Sequence, residues 1–356
     1  MKTVKNRFGE SVLYDIEDIV ASDVYVVCTA CMSVWSDFLS YANSDECYFN
    51  ILPKYEESWY HQTEAIIVLG CQVTDLAIYN DLKTAEELHD KYPNIPIYMG
   101  GCLAHRFDIE LPDCIYRLNV VRSGYQSVGN KELIDYRKPF WNKNLVDDAD
   151  ELETGNLFRH SYPLKIGAGC HGKCKYCTIR DTRGESYETD AYLQVAEFLA
   201  NDDIVLISDS PTVKQIKDWC HIAERYNKPI SMRNVEPQVA MVCTKELLDL
   251  SDKGLLKIFH CPIQSNDPNV LKAMNRNVGI TLDYIEWAQE LRKRGTKVAT
   301  NIIIDYVVNG DVVHNMPEEW LNAHFDYWSW NPYFDGKWDY DKAKERFEKY
   351  IGEWSI

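Results

Sequence analysis

No run of apolar residues in this 356-residue sequence approaches the ~18 that a membrane-spanning helix requires. The N-terminal stretch MKTVKNRFGESVLYDIEDIV is polar and acidic, and it lacks the apolar block of a secretory signal. Both absences argue against a membrane or exported protein, and they predict a cytoplasmic location with no membrane partner. Because that compartment keeps thiols reduced, the twelve cysteines are expected to serve metal or redox chemistry and not disulfides.

Basic residues are also scarce, since 38 Lys and Arg stand against 55 Asp and Glu, for a net charge of −17. Binding nucleic acid requires Lys and Arg to neutralise phosphates, so the composition leans against that class, although a local basic patch would suffice. A charge that only keeps the protein soluble is the alternative. The sequence also lacks a repeat of fixed period, and it therefore gives no indication of a solenoid.

Three short apolar runs in the first half each end in a cysteine. They are DVYVVCTAC, EAIIVLGC and PIYMGGC, which end at Cys31, Cys71 and Cys102. A helix-like segment follows each run, and this alternation predicts a parallel sheet with both faces covered. The carboxyl ends of such strands form a ligand crevice, so the three thiols are predicted to share one rim. Soft thiolates favour Fe–S centres. Three buried thiols with only a packing role are the alternative.

The second half continues the alternation of strands and helices. Its predicted strands are YPLKIGAG, DIVLISD, PISMRN, LLKIFHCPI and KVATNIIIDYV. The length and the pattern predict an α/β protein of two domains, an N-terminal parallel α/β sheet domain followed by a partial (β/α) barrel. In such barrels the active site lies at the strand C-termini. The predicted boundaries are a lead at 1–23, the sheet domain at 24–125, an acidic linker at 126–158 and the barrel domain at 159–356.

The loop GAGCHGKCKYCTIRDTRG, after the first barrel strand, holds Cys170, Cys174 and Cys177 in a CxxxCxxC frame. Zinc usually takes four ligands from separated pairs, and His171 is too close in sequence to complete such a set. A disulfide would leave one cysteine over, and three thiols buried by chance are a minor alternative. A [4Fe–4S] cluster with three thiolate ligands and one open iron fits the pattern best.

This spacing, with the aromatic Tyr176 before the last cysteine, resembles the radical S-adenosylmethionine (SAM) enzymes. The resemblance implies that the open iron of the cluster on Cys170, Cys174 and Cys177 binds SAM. It further implies that an electron from the cluster splits SAM and yields a 5′-deoxyadenosyl radical, which abstracts hydrogen from C–H bonds. The three cysteines are therefore predicted to be catalytic as well as metal-binding.

Further segments resemble the methylthiotransferases within that superfamily. They are CTIRDTRGES after the triplet, NVEP from Asn234 to Pro237, and HCPIQSNDPNVLKAMNR from His260 to Arg276. In the first half, Asp37 follows Cys31 by six positions, as in that family's CQMNxxD motif, and Cys71 and Cys102 fall where its other two cysteines fall. The resemblance covers about residues 24–310. It implies that these three cysteines hold an auxiliary [4Fe–4S] cluster whose open iron carries the sulfur to be inserted.

The resemblance thus implies an enzyme that uses two [4Fe–4S] clusters and SAM to convert C–H into C–SCH3 on a tRNA nucleoside or a polypeptide side chain. It also implies an external electron donor and a sulfur source. The acidic composition and the expected lack of a C-terminal TRAM β-barrel tilt the prediction toward a polypeptide substrate. Two segments depart from the family, since CQVTDLAIYN and NIIIDYVVNG replace its usual motifs. The rival hypotheses are a single-cluster or cobalamin-dependent radical SAM methylase and a non-catalytic Fe–S redox protein.

Several other positions are assigned to the site by their place at strand ends or in motifs. The predicted cofactor-binding residues are Tyr176, near the adenine of SAM, and Ser208, Asp209, Gln264 and Ser265. Arg183 is predicted to bind substrate by pairing with a carboxylate or phosphate. For each of these a structural role is the alternative. Cys28, three residues before Cys31, is expected to face the other side of the sheet, and its part in the auxiliary site stays open.

Overall fold

The structure, a computed structural model, describes residues 1–21, 23–42, 50–52, 63–120, 157–158, 161–184, 186–313 and 316–354. The chain forms two compact units, and both are discontinuous in sequence. The first unit consists of Met1–Lys143, Asp181–Gly184 and Phe334–Ile356. The second unit consists of Asn144–Arg180 and Glu185–Tyr333.

The first unit is built on a parallel sheet. Its strands are β1 (Lys2–Asn6), β2 (Gly9–Leu13), β3 (Asp23–Cys28), β4 (Asn50–Leu52), β5 (Ala65–Gly70), β6 (Ile97–Gly101) and β7 (Ile115–Arg117). Its helices are α1 (Met32–Ala42), α2 (Asp75–Lys91) and α11 (Tyr340–Trp354), and the short α3 (Ile179–Arg183) contributes its last three residues. The sheet has the order β4-β3-β5-β6-β7 with every pair parallel, and β1 and β2 form a separate hairpin.

Burial on both faces explains the composition of the central strands. All six residues of β5, AIIVLG, are buried, because a strand covered on both sides needs apolar side chains at every position. Helix α2 begins where the Thr74 hydroxyl accepts a hydrogen bond from the Ala77 amide. Its face of Ile78, Leu82 and Ala85 then packs in the same apolar cluster as β5 and β6. The sheet edge after β5 is therefore held against a well-anchored helix.

The segment after residue 333 belongs to the first unit. Phe334 lies in the apolar cluster of the first sheet. In α11, the ring of Phe347 lies 5.0 Å from that of Tyr79, and Arg346 Nη1 lies 2.6 Å from Asp75 Oδ2. The sequence had predicted that this segment belongs to the second domain, within 159–356. The difference arises because the partners of α11 lie on α2, far away in sequence.

The second unit carries the barrel strands. They are β8 (Tyr162–Lys165), β9 (Gly167–Ala168), β10 (Tyr187–Glu188), β11 (Ile204–Ile207), β12 (Ile230–Met232), β13 (Leu256–His260), β14 (Lys297–Ile304), β15 (Tyr306–Val308), β16 (Asp311–Val313) and β17 (Tyr327–Pro332). Its other helices are α4 (Val195–Ala200), α5 (Val213–Tyr226), α6 (Pro237–Val242), α7 (Thr244–Asp252), α8 (Pro268–Ala273), α9 (Val278–Lys293) and α10 (Glu318–His324). Six strands form a parallel sheet in the order β8-β11-β12-β13-β14-β17.

The helices of this unit begin and end where the sequence provides caps. Thr212 and Gln215 form a capping box at the start of α5, each side chain accepting from the other's backbone amide. The helix stops at Asn227, whose φ of +48° lies in the left-handed region that asparagine tolerates. Such local signals return the chain to the next parallel strand after each helix.

The predicted fold class is confirmed, with a parallel α/β sheet followed by a six-stranded parallel sheet of partial-barrel type. The predicted linker at 126–158 lies outside the described residues except for 157–158. Within the ranges that the structure describes, no helix is both long enough and apolar enough to cross a membrane.

Candidate metal and cofactor sites

The first cysteine triplet lies along one rim of the first unit's sheet. Cys31 follows β3, Cys71 follows β5 and Cys102 follows β6, and these three strands are neighbours. Burial raises the pKa of the Cys71 thiol well above its ordinary value, and the nearby thiols of Cys31 and Cys102 raise it further. The three sulfurs are therefore close enough to interact electrostatically.

Local backbone geometry brings these strand ends together. Gly101 has a φ of +73°, and a Cβ there would stand 2.6 Å from the Gly70 carbonyl oxygen. Only glycine permits so close an approach of β5 and β6. Cys31 accepts the Val34 amide through its carbonyl and so begins α1.

A buried carboxylate lies behind Cys71. Asp81 Oδ2 accepts a hydrogen bond from the Cys71 amide at 2.6 Å. Burial raises the pKa of Asp81 to about 7, although hydrogen bonds from Thr29 and from the Cys71 amide oppose the rise. This carboxylate fixes the backbone of the residue that carries the thiol.

Arg183, which was predicted to bind substrate, lies in the first unit and is 1% exposed. Its Nη2 lies 2.6 Å from Asp37 Oδ2 and 3.5 Å from Ser33 Oγ. Its Nη1 lies 3.9 Å from Cys102 Sγ. The arginine does pair with a carboxylate, as its chemistry predicts, but the carboxylate belongs to this chain. The same side chain also contacts a candidate cluster ligand, and the predicted contact with substrate stays a prediction.

The remaining cysteines occupy varied positions. Cys28 is buried at the end of β3, and its thiol lies 3.7 Å from the Ala30 carbonyl oxygen. Cys220, Cys243 and Cys261 are buried. Cys47 lies outside the described residues.

The second triplet lies in the loop that follows β9 in the second unit. The Gly172 amide donates to Cys170 Sγ at 3.1 Å. A Cβ on Gly172 would stand 3.0 Å from Cys170 Sγ and 4.0 Å from Cys174 Sγ. Glycine therefore leaves space between these two thiols that any other side chain would fill. Burial raises the pKa of Cys177 to about 12, and the thiols of Cys174 and Cys170 add to the rise.

Two charged side chains that sequence analysis did not assign contact this loop. Arg276 Nη1 lies 3.9 Å from Cys174 Sγ and 3.2 Å from the Tyr176 hydroxyl, and its Nη2 donates to the Pro262 carbonyl at 2.8 Å. Glu236 Oε1 accepts from Ser210 Oγ at 3.0 Å and lies 4.0 Å from Cys170 Sγ. Both residues stand in the quoted segments NVEP and LKAMNR, so the signal was present in the sequence.

The predicted cofactor-binding residues divide into two groups. Asp209 reaches the cysteine loop, because its Oδ2 accepts the Gly169 amide at 2.9 Å. Tyr176 is partly buried and packs against the apolar cluster that contains Met274 and Tyr306. The other three make structural contacts: the Ser208 carbonyl accepts from Asn234, the Gln264 amide donates to the Asn301 carbonyl, and Ser265 Oγ accepts from the Asp267 amide.

Neither triplet has the geometry of a mononuclear site. Among the side chains that the structure describes, no three of His, Cys, Asp or Glu converge closely enough to hold a single metal ion. Each triplet offers three thiol donors, and thiolates are the ligands that [4Fe–4S] clusters take. The donor chemistry of the residues present therefore fits such clusters, and ligation stays a prediction.

The chain is similar in sequence to known proteins. Residues 164–316 match the model of the radical SAM superfamily. The chain is 23% identical to a protein of Archaeoglobus fulgidus named "Probable threonylcarbamoyladenosine tRNA methylthiotransferase", over 75% of this chain and 64% of that one. It is 24% identical to "Ribosomal protein uS12 methylthiotransferase RimO" of a Hydrogenobaculum species, over 62% of this chain and 53% of the relative.

Among solved structures, the radical SAM methyltransferase TsrM of Kitasatospora setae is similar with a TM-score of 0.44 and 10% identity, covering 80% of this chain and 68% of that chain. That score is too low to bear on function. The chain spans 53–64% of the length of the two curated relatives. The predicted resemblance is confirmed: residues 164–316 are a radical SAM domain, a kind of domain that uses a [4Fe–4S] cluster and SAM, and the longer chain is similar to the methylthiotransferases.

Proposed function

We propose that this protein is a two-cluster radical SAM methylthiotransferase that converts C–H into C–SCH3 on a tRNA nucleoside or a polypeptide side chain. The observation that carries the proposal is the coexistence of two cysteine triplets, one in the radical SAM loop and one at three adjacent strand ends of a second sheet. A radical SAM enzyme with one cluster has no use for the second triplet.

In the second unit, Cys170, Cys174 and Cys177 would hold the cluster that binds SAM. When bound, the cluster and SAM supply a hydrogen-abstracting radical. The chain's own residues prepare this site. Gly172 leaves room between two thiols, and Asp209 fixes the loop by accepting the Gly169 amide.

Loading of that cluster requires the thiols to lose their protons. Burial raises the pKa of Cys170, and the charge of Glu236, whose Oε1 lies 4.0 Å from Cys170 Sγ, adds to the rise. Arg276 supplies a compensating positive charge beside Cys174 once the loop carries thiolates.

In the first unit, Cys31, Cys71 and Cys102 would hold the auxiliary cluster that presents the sulfur. The reaction needs an external electron donor and a sulfur source, both of which stay predictions. The excess of acidic over basic residues favours a polypeptide substrate over tRNA. The predicted cytoplasmic location belongs to the same proposal, as do the predicted domain boundaries apart from the segment after residue 333.

Iron and sulfide content after anaerobic reconstitution tests the proposal first. We expect about eight irons per chain in the wild type, and about four when either triplet is changed to alanine. Cys114→Ala, a half-buried thiol of the first unit outside both triplets, is the matched control and should keep about eight. About four irons in the wild type, all lost with Cys170, Cys174 and Cys177, would favour a single-cluster radical SAM enzyme instead.

The loaded enzyme is then incubated with SAM, dithionite, and either bulk tRNA or a peptide library, and products are analysed by mass spectrometry. A gain of one SCH2 unit in a peptide supports both the activity and the preferred substrate. The same gain in tRNA alone keeps the activity and overturns the substrate preference. Iron without SAM cleavage would support a non-catalytic redox protein.

A further inference from the structure

We propose that Arg183, clamped by Asp37, is a positioning residue that directs a hydrogen-bond donor at Cys102 and raises the reduction potential of the cluster on the first triplet. This inference rests on the proposed function, because it requires a cluster on Cys31, Cys71 and Cys102. It assigns the arginine of the TRG segment to the auxiliary site, in place of the substrate contact predicted from the sequence.

The guanidinium group of Arg183 has a fixed geometry. Its planar fork carries donors in fixed directions, so a partner on one nitrogen determines where the other nitrogen points. Asp37 Oδ2 binds Nη2 at 2.6 Å, and Nη1 is left 3.9 Å from Cys102 Sγ. The carboxylate therefore orients the arginine toward the sulfur.

The ion pair of Arg183 and Asp37 is buried. Arg183 and Asp37 are each 1% exposed, and a charge so far from water is tolerated only beside an opposite charge. The pair can therefore stay in place without either side chain turning toward solvent. A donor held in a low-dielectric site interacts more strongly with a sulfur than one in water does.

The two residues before Arg183, Asp181 and Thr182, also bind to the first unit. Thr182 Oγ1 accepts from Gln72 Nε2 at 2.7 Å, and Gln72 follows Cys71 directly. Asp181 Oδ2 lies 3.1 Å from Arg7 Nη1. Three consecutive residues thus hold the segment in the first unit, Asp181 at the turn between β1 and β2 and the other two at the rim that carries the thiols, so the position of Arg183 is built into the unit.

The expected consequence is electrostatic. One-electron reduction makes a [4Fe–4S] cluster more negative, and hydrogen bonds to its sulfurs stabilise that state and raise the potential. Arg183 supplies a positive donor on the Cys102 side, whereas Asp37 opposes it from the other nitrogen. Loss of the arginine should therefore lower the midpoint potential.

The test uses the full chain with Cys170, Cys174 and Cys177 changed to alanine, so that only the first triplet is available. After anaerobic reconstitution, the midpoint potential is measured by dithionite titration monitored by electron paramagnetic resonance. We expect Arg183→Gln to lower the potential and Arg183→Lys, which keeps the charge without the fork, to lower it less. Arg180→Gln, an exposed arginine three residues earlier, is the control and should leave it unchanged.

A double variant guards against unfolding. Arg183→Gln with Asp37→Asn replaces the ion pair by two neutral amides, so no buried charge is stranded, and the proposal expects a lowered potential here too. Loaded variants with the potential of the Arg180→Gln control would overturn this inference and leave the proposed function intact. A parent protein that binds no iron would overturn both.

Discussion

The two cysteine triplets of this protein are assembled in different ways. Cys170, Cys174 and Cys177 lie in one short loop, and a backbone amide within that loop already contacts a sulfur. Cys31, Cys71 and Cys102 come from three strand ends, separated by whole β/α units. The loop triplet depends on local geometry, whereas the strand-end triplet exists only when its sheet has folded.

The two sites also differ in how a nearby arginine is compensated. Each triplet has one arginine Nη1 at 3.9 Å from one sulfur. Arg183 is paired with the Asp37 carboxylate, while Arg276 donates to the neutral oxygens of Tyr176 and Pro262. The first arginine thus bonds a carboxylate directly, whereas the carboxylate of the second site, Glu236, lies beside a different sulfur, 4.0 Å from Cys170 Sγ.

The largest effect is expected from a substitution that disrupts the strand-end site and leaves the loop site intact. Gly101→Val adds a Cβ 2.6 Å from the Gly70 carbonyl oxygen at a φ of +73°, so the ends of β5 and β6 must separate. We expect the iron content to fall from about eight to about four while SAM cleavage by the other cluster persists. Gly9→Ala, in the same unit with a φ of +126° and a nearest atom at 3.7 Å, is the control. Full iron in Gly101→Val would mean that the strand ends need not approach each other.

A smaller effect compares the two arginines. Arg183→Gln strands the buried Asp37 carboxylate and should lower the free energy of unfolding by about 3–5 kcal/mol. Arg276→Gln leaves the oxygens of Tyr176 and Pro262 without their donor and should cost about 1–3 kcal/mol. Denaturant unfolding of the metal-free chains measures both, with Arg180→Gln as the exposed control. Equal costs would show that Asp37 does not depend on Arg183 for compensation.

The smallest expected effect is a change of unfolding free energy with pH, and it arises at His260 in the second unit. Burial lowers the pKa of His260 to about 3; its ring nitrogens bond to the Asn234 amide and to Asn301. Because the folded pKa lies below the unfolded value of about 6.5, the stability is present above pH 6.5 and is lost as pH falls toward 3. Between pH 7.5 and 5.5 this group should cost ~1.4 kcal/mol of unfolding free energy.

His260→Gln should remove that part of the pH dependence, and His221→Gln, at an exposed position, should not. Unfolding by urea at the two pH values gives the comparison directly. An unchanged slope in His260→Gln would mean that another group carries the acid sensitivity of the second unit.

The sequence predicted what depends on local pattern. The apolar runs before Cys31, Cys71 and Cys102 are strands, and their adjacency follows from the rules of parallel sheets. It did not predict the environment of Arg183, because Asp37 lies 146 residues away and no periodicity links them. Nor did it predict that Tyr176 packs against the cluster that contains Met274; the predicted contact of Tyr176 with SAM stays a prediction. The packing of α11 against α2 was not predicted either, because the two helices lie far apart in sequence.

The discontinuity of the first unit has a consequence for biosynthesis. The strands that carry Cys31, Cys71 and Cys102 leave the ribosome early, but Arg183 and Phe334 belong to the same unit and are translated later. Contacts of such large sequence separation close slowly, because the intervening loop entropy is lost before the contacts form. The sheet therefore reaches its final form only after the radical SAM segment has been synthesised, and any cluster that its rim is to hold would have to be loaded after that point.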